Sequence, residues 1–235
     1  MKAVVFDFFG TLTDPSVEAG RQATFVATAA ALGVSPAAFC AEMTGSFARR
    51  IVGEFGDTRE TLREMARRCG TTPAESELDA AVRTQLAGSA SVSTPRPGVL
   101  DVLHTLRDRG LRLGLISDCS SELYESWPGT PFAPLIDAAV FSWREGHRKP
   151  DQRLYAAVAD RLGVPPASCW YVGDGGSREH WGAARAGMHP ILVTNANYPT
   201  AASYRDDPDS HVPDFVVDEV SDIVDVVLCQ DPSCP

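Results

Sequence analysis

The stretch Val4-Val5-Phe6-Asp7-Phe8-Phe9-Gly10-Thr11-Leu12 decides the fold. An unbroken run of Val and Phe reads as a strand covered on both faces, and Gly10-Thr11 turns the chain sharply after it. Asp7 is thereby carried to the carboxyl edge of a parallel sheet, where open α/β folds bind ligands. A carboxylate at the tip of a buried strand is costly unless chemistry requires it. Phe9, two positions on, stands where a second carboxylate would be needed if the site carried out its own proton transfers.

Outward from this strand, the pattern changes to helix after Asp14-Pro15 and stays helical to about Ser93. Apolar periods near 3.6 over 20–32, 36–52, 58–69 and 73–86 predict four or five helices, and Pro95-Arg96-Pro97-Gly98 closes the block. Residues 15–94 therefore read as an all-helical insert. Beyond it, helices at 99–109, 151–162 and 178–186 alternate with strands at 111–117, 138–142, 168–173, 191–194 and 215–217. This alternation predicts an α/β fold: a Rossmann-like, doubly wound, mostly parallel sheet formed by residues 1–14 and 95–235. Residues 230–235 are expected to be a frayed tail.

The chain has 235 residues and a formal net charge of −10, which argues against nucleic acid or an anionic membrane as a partner. The apolar run at the start is too short for a signal peptide, and no later run approaches the roughly 20 apolar residues of a membrane span. A cytoplasmic enzyme is the expectation. The six cysteines lack metal-ligand spacing and read as reduced thiols, a Cys229–Cys234 pair being the weaker alternative.

Three more polar positions fall where strands should end. The run Leu113-Gly114-Leu115-Ile116 delivers Ser117 with Asp118 beside it; the run 169–173 delivers Asp174; and Lys149 precedes Pro150 at a helix start. Parallel strands put their carboxyl ends together, so Asp7, Ser117 and Asp174 should converge, with Lys149 reaching in from a neighbouring loop. The chain holds two lysines against nineteen arginines. At position 149 a compact ammonium is therefore read as required, rather than a planar guanidinium.

In this order the segments Asp7-Phe8-Phe9-Gly10-Thr11-Leu12, Leu115-Ile116-Ser117, Arg148-Lys149-Pro150-Asp151 and Val172 to Glu179 resemble the four motifs of the haloacid dehalogenase-like (HAD) hydrolases. The helical insert resembles that family's C1-type cap. The resemblance implies that Asp7 is a nucleophile forming an aspartyl ester with a small phosphorylated substrate. It further implies a Mg²⁺ ion held by Asp7, Asp174, Glu179 and the backbone carbonyl of Phe9, an all-oxygen set. Ser117 and Lys149 would hold the transferred group, with Gly10, Thr11 and Asp118 completing the substrate site. Glu179 is one methylene longer than the family's usual Asp, which suits contact with the ion through water.

At Phe9 the pattern breaks. Phosphatases of this family carry Asp there as general acid and base, a function worth about 10² to 10⁴ in rate. Glu145 and His147 are the nearby substitutes in sequence. The alternative within the family is a metal-independent 2-haloacid dehalogenase, which expels halide without a proton and to which Lys149-Pro150-Asp151 followed by Tyr155 also corresponds. A catalytically weakened ligand-binding member is the alternative outside catalysis. A phosphonate-cleaving route needs a cap lysine, and the insert has none.

Bland readings stand beside these. Ser117 could cap a helix, Glu179 could merely complement a helix dipole, and Tyr155 could pack as a helix residue. In the insert, Phe47 and Phe55 could be core and Arg49-Arg50 solvated. Oligomeric state is left open.

Overall fold

The computed structural model describes residues 1–229. Six strands form one all-parallel sheet: β1 Ala3–Phe6, β2 Arg112–Ser117, β3 Ala138–Phe141, β4 Cys169–Gly173, β5 His189–Val193 and β6 Phe215–Val217. Their order is β3-β2-β1-β4-β5-β6, so β1 lies inside the sheet and the winding reverses across it. The expected α/β class and doubly wound arrangement are what is found, with every pairing parallel rather than most.

The apolar run of β1 serves two cores. Val4, Phe6 and Phe8 join one cluster, while Ala3 and Val5 join the other, as a period of two demands. Among the described residues, the chain continues from β1 into five helices, α1 Gly20–Ala31, α2 Pro36–Gly45, α3 Phe47–Arg50, α4 Thr58–Arg68 and α5 Glu75–Val92. These share a third core that includes Leu32, Phe39, Met43, Leu62, Met65 and Leu78. The later helices are α6 Val99–Asp108, α7 Ser121–Ser126, α8 Ser142–Glu145, α9 Gln152–Leu162, α10 Glu179–Arg185 and α11 Ile223–Cys229. α6 and α11 cover the Val4/Phe6 face, and α9 and α10 cover the other.

The short helices α7 and α8 were not expected, and three further elements differ from the sequence reading. The helix expected over 36–52 breaks at Ser46, between α2 and α3, where Gly45-Ser46 combines two weak helix formers. α5 runs on to Val92 through Gly88-Ser89, past the period expected over 73–86. A Cβ at Gly88 would collide with Thr24 of α1, so close approach of these helices, not a turn, requires glycine there. α11 was not expected, because Ile223, Val224, Val226 and Val227 are β-branched and favour strand. The tail expected at 230–235, with Cys234, lies outside the described residues.

Candidate active site

Strand register builds the site. Phe6 pairs with Leu115 of β2 and with Val172 of β4. Asp7, Ser117 and Asp174 therefore leave three adjacent strands at nearly one level of the sheet edge. The Asp7 amide still donates to the Val172 carbonyl (2.9 Å), continuing the ladder one residue past the strand. The next turn closes on the Phe8 carbonyl, which accepts from the amides of Thr11, Leu12 and Thr13. No described residue donates to the carbonyl of Phe9. Gly10 has φ +75°, and a Cβ there would lie 2.9 Å from Asp174 Oδ2, so the turn needs glycine twice over.

Lys149 is 3% exposed and ties the cluster together. Its Nζ donates to Asp7 Oδ1 (2.5 Å) and to Glu179 Oε2 (2.7 Å). Thr11 Oγ1 donates to the other Asp7 oxygen (3.1 Å). Glu179 is fully buried and also accepts from Tyr171 OH (2.9 Å) and the Gly175 amide (2.8 Å). Asp174 accepts from the Gly176 amide and from Arg205 Nε, each at 3.1 Å. The carboxylates of Asp7, Asp174 and Glu179 bring one oxygen each within 4.8 Å of one another.

This packing sets the electrostatics. Burial pushes the Asp7 carboxyl up to about 7, against the pull of the Lys149 ammonium. Burial likewise raises Asp174 and Glu179 above the ordinary carboxylate range. At Lys149 burial works the other way, but Asp7 and Glu179 outweigh it and hold the ammonium well above its usual value. Asp118 is raised by burial, with one oxygen accepting from the Lys149 amide (3.0 Å) and the other enclosed without a partner.

Above this edge lies a cavity of about 740 Å³ between the sheet and the helical insert. Asp7, Phe9, Gly10, Asp118, Lys149, Asp174 and Glu179 line it. Ser117 and Thr11 sit just behind, both fully buried. The Ser117 hydroxyl has no partner among the described residues, and α7 begins only at Ser121, so Ser117 caps no helix. From the insert, Phe47 and Arg50 line the cavity, whereas Arg49 pairs with Glu54 outside it and stacks on Phe55.

Two suggested substitutes for the missing acid are not brought in. Glu145 turns to Arg161 (2.6 Å), and neither it nor His147 is among the described residues lining the cavity. Tyr155 is fully buried too, its hydroxyl donating to the Glu179 carbonyl (2.9 Å). Sequence reasoning missed Tyr171 and Arg205, which hold Glu179 and Asp174, and the cavity residues Glu18 and Arg21. Strand alternation could have turned Tyr171 toward the α9–α10 side, but Arg205 comes from a loop with no local pattern.

A family model for haloacid dehalogenase-like hydrolases matches residues 1–187. The chain belongs to the haloacid dehalogenase-like hydrolases. A glyceraldehyde 3-phosphate phosphatase from Methanopyrus kandleri is 30% identical to this hydrolase over 232 residues, 97% of each chain. Among solved structures, the 2-haloacid dehalogenase of Pseudomonas syringae pv. Tomato DC3000 shares the fold with a TM-score of 0.70 at 23% identity, over 97% of this hydrolase and 99% of that chain. A HAD family enzyme from Bacteroides thetaiotaomicron, in complex with magnesium and inorganic phosphate, gives a TM-score of 0.60 at 16% identity, over 82% and 94% of the two chains. Among the described residues of this hydrolase, no helix is long and apolar enough to cross a membrane.

Proposed function

We propose that this hydrolase is a Mg²⁺-dependent phosphatase acting on a small phosphorylated metabolite, with Asp7 as nucleophile. The observation that carries the reading is the charge balance beneath the cavity. With all ionised, four carboxylates (Asp7, Asp118, Asp174 and Glu179) face two cations, Lys149 and Arg205, and two negative charges stand unmatched. A divalent ion meets that deficit, and an all-oxygen donor set suits Mg²⁺. Asp7, Asp174 and the unengaged carbonyl of Phe9 would hold it, with Glu179, whose carboxylate already accepts three hydrogen bonds, acting through water. When bound, the ion would offset the repulsion between an anionic nucleophile and an anionic phosphoryl group.

The remaining work falls to the chain's own groups. Thr11 and Lys149 fix the Asp7 carboxylate from opposite oxygens, which keeps it aimed at one point. The Lys149 ammonium would hold the phosphoryl oxygens, joined by the Ser117 hydroxyl once that side chain turns from its enclosed position toward the cavity. Residues 15–94 would act as a cap over a catalytic core of 1–14 and 95–235, opening for substrate and closing to exclude water. The M. kandleri relative makes triose-sized phosphate esters the first compounds to test. Phosphate release from such a panel is expected with Mg²⁺ and is expected to stop in EDTA; release that persists in EDTA would remove the metal from the account.

Phe9 favours a second reading, the metal-independent dehalogenase. The engagement of Tyr155 with the Glu179 backbone and the surplus of carboxylates weigh against it. Chloride release from 2-chloropropionate in EDTA would establish it. Replacing Phe9 separates both readings from a weakened ligand-binding protein. Phe9→Asp is expected to raise kcat on alkyl phosphates by about 10², and to change turnover of p-nitrophenyl phosphate little, because that leaving group departs without a proton. An equal effect on both substrates would show that Phe9 does not stand at the leaving group.

A further inference from the structure

We infer that Glu18 serves as the general base lost at Phe9, accepting the proton of the water that hydrolyses the aspartyl phosphate on Asp7. This rests on the nucleophile reading given above. Phe9 is half-buried and faces the cavity, and its ring is covered by the guanidinium of Arg21, 4.3 Å from the ring centroid. Arg21 in turn grips both oxygens of Glu18, through Nε (2.5 Å) and Nη2 (3.1 Å). Phe9, Arg21 and Glu18 thus form a contact chain that returns a carboxylate to the side of the cavity where the motif lost one.

The bland alternative is an ion pair one helical turn apart, which on a surface contributes little. Glu18 is 7% exposed, however, and it lines the same cavity as Asp7 instead of facing bulk water. Pairing with Arg21 offsets the cost of burying a carboxylate there. The other cavity carboxylates are tied to partners other than the Arg21 that covers Phe9. Glu122 accepts from Gln85 (2.9 Å), Asp174 from Arg205, Glu179 from Lys149 and Asp206 from Arg148 (3.1 Å). Asp118 accepts from the Lys149 amide and follows Ser117 in the chain, the two residues that would hold the phosphoryl oxygens.

In the step assigned to Glu18, the water oxygen bonds to phosphorus while the bond from phosphorus to Asp7 breaks. The electron pair of that bond returns to the Asp7 carboxylate, and the water proton passes to Glu18. Departure of the first leaving group is not assisted by this arrangement, which favours leaving groups that are stable as anions.

Stopped-flow kinetics with p-nitrophenyl phosphate separate the two half-reactions. Glu18→Gln, which can keep one of the two hydrogen bonds from Arg21, is expected to release a burst of p-nitrophenolate near one per active site, followed by turnover about 10² slower than wild type. Acid quenching should then recover a phosphorylated protein. Glu18→Asp, checked for folding by thermal melting, should recover part of the slow phase. Asp118→Asn should give no such accumulation. Wild-type turnover in Glu18→Gln, or a burst in Asp118→Asn without one in Glu18→Gln, would overturn the inference. Turnover by wild type with no phosphorylated protein in any variant would remove the Asp7 nucleophile itself, and the inference with it.

Discussion

Asp7→Asn is expected to abolish phosphate release, lowering kcat by about 10⁴-fold or more, because an amide cannot form the ester intermediate. The loss should occur without unfolding. The Asp7 carboxyl is raised from 3.8 to about 7 by burial, so the folded state holds its proton more tightly than the unfolded chain does. For a raised acid the sign is unfavourable: stability falls as pH climbs through that window. A neutral Asn escapes this penalty. In EDTA at pH 8, the melting temperature of Asp7→Asn should therefore equal or exceed that of wild type. A variant that melts well below wild type would mean that the ionised Asp7–Lys149 contact outweighs the desolvation it entails.

Lys149→Met should act on both activity and stability. The ammonium is the only side-chain cation within ion-pair distance of Asp7 and Glu179 among the described residues. Without it, two buried carboxylates lie close together uncompensated. Breaking a buried pair by removing one partner costs about 3–5 kcal/mol, and this should register as a lower midpoint in urea unfolding. Loss of a fixed cation at the transferred group should lower kcat by about 10² to 10³ as well. Lys149→Arg is not expected to rescue, since a planar fork cannot replace a point donor between two carboxylates in a fully packed space. A Lys149→Met protein with wild-type stability would show that the carboxylates are neutral in the folded state.

Much of this was legible from strand ends. β1 announced itself as a buried strand, and parallel pairing alone led to the expectation that Asp7, Ser117 and Asp174 converge, with Lys149 reaching in from a neighbouring loop. Strand register brings Asp7 and Asp174 together, and the Lys149 ammonium reaches Asp7 from its loop. Ser117 was placed at the same edge, but its seat behind the cavity wall was not foreseeable from a one-dimensional pattern. Glu145 and His147 were suggested by adjacency to Lys149, and adjacency misled because Gly146 adopts a left-handed conformation after α8 and Glu145 turns to Arg161. Glu18 and Arg21 were invisible for the opposite reason. They belong to the entrance of the helical insert, where an acid and a base one turn apart read as ordinary surface charge, and only the fold turns that pair over Phe9. Helical content at 223–229 was hidden by β-branched residues that tertiary packing against α6 overrides.

The most direct measurement is a crystal structure of the hydrolase grown with saturating Mg²⁺ and beryllium fluoride. The account predicts a trifluoroberyllate bonded to the Asp7 carboxylate, with Ser117 and Lys149 on its fluorines and an ion beside Asp174. A bare Asp7 still paired to Lys149 under those conditions would contradict it.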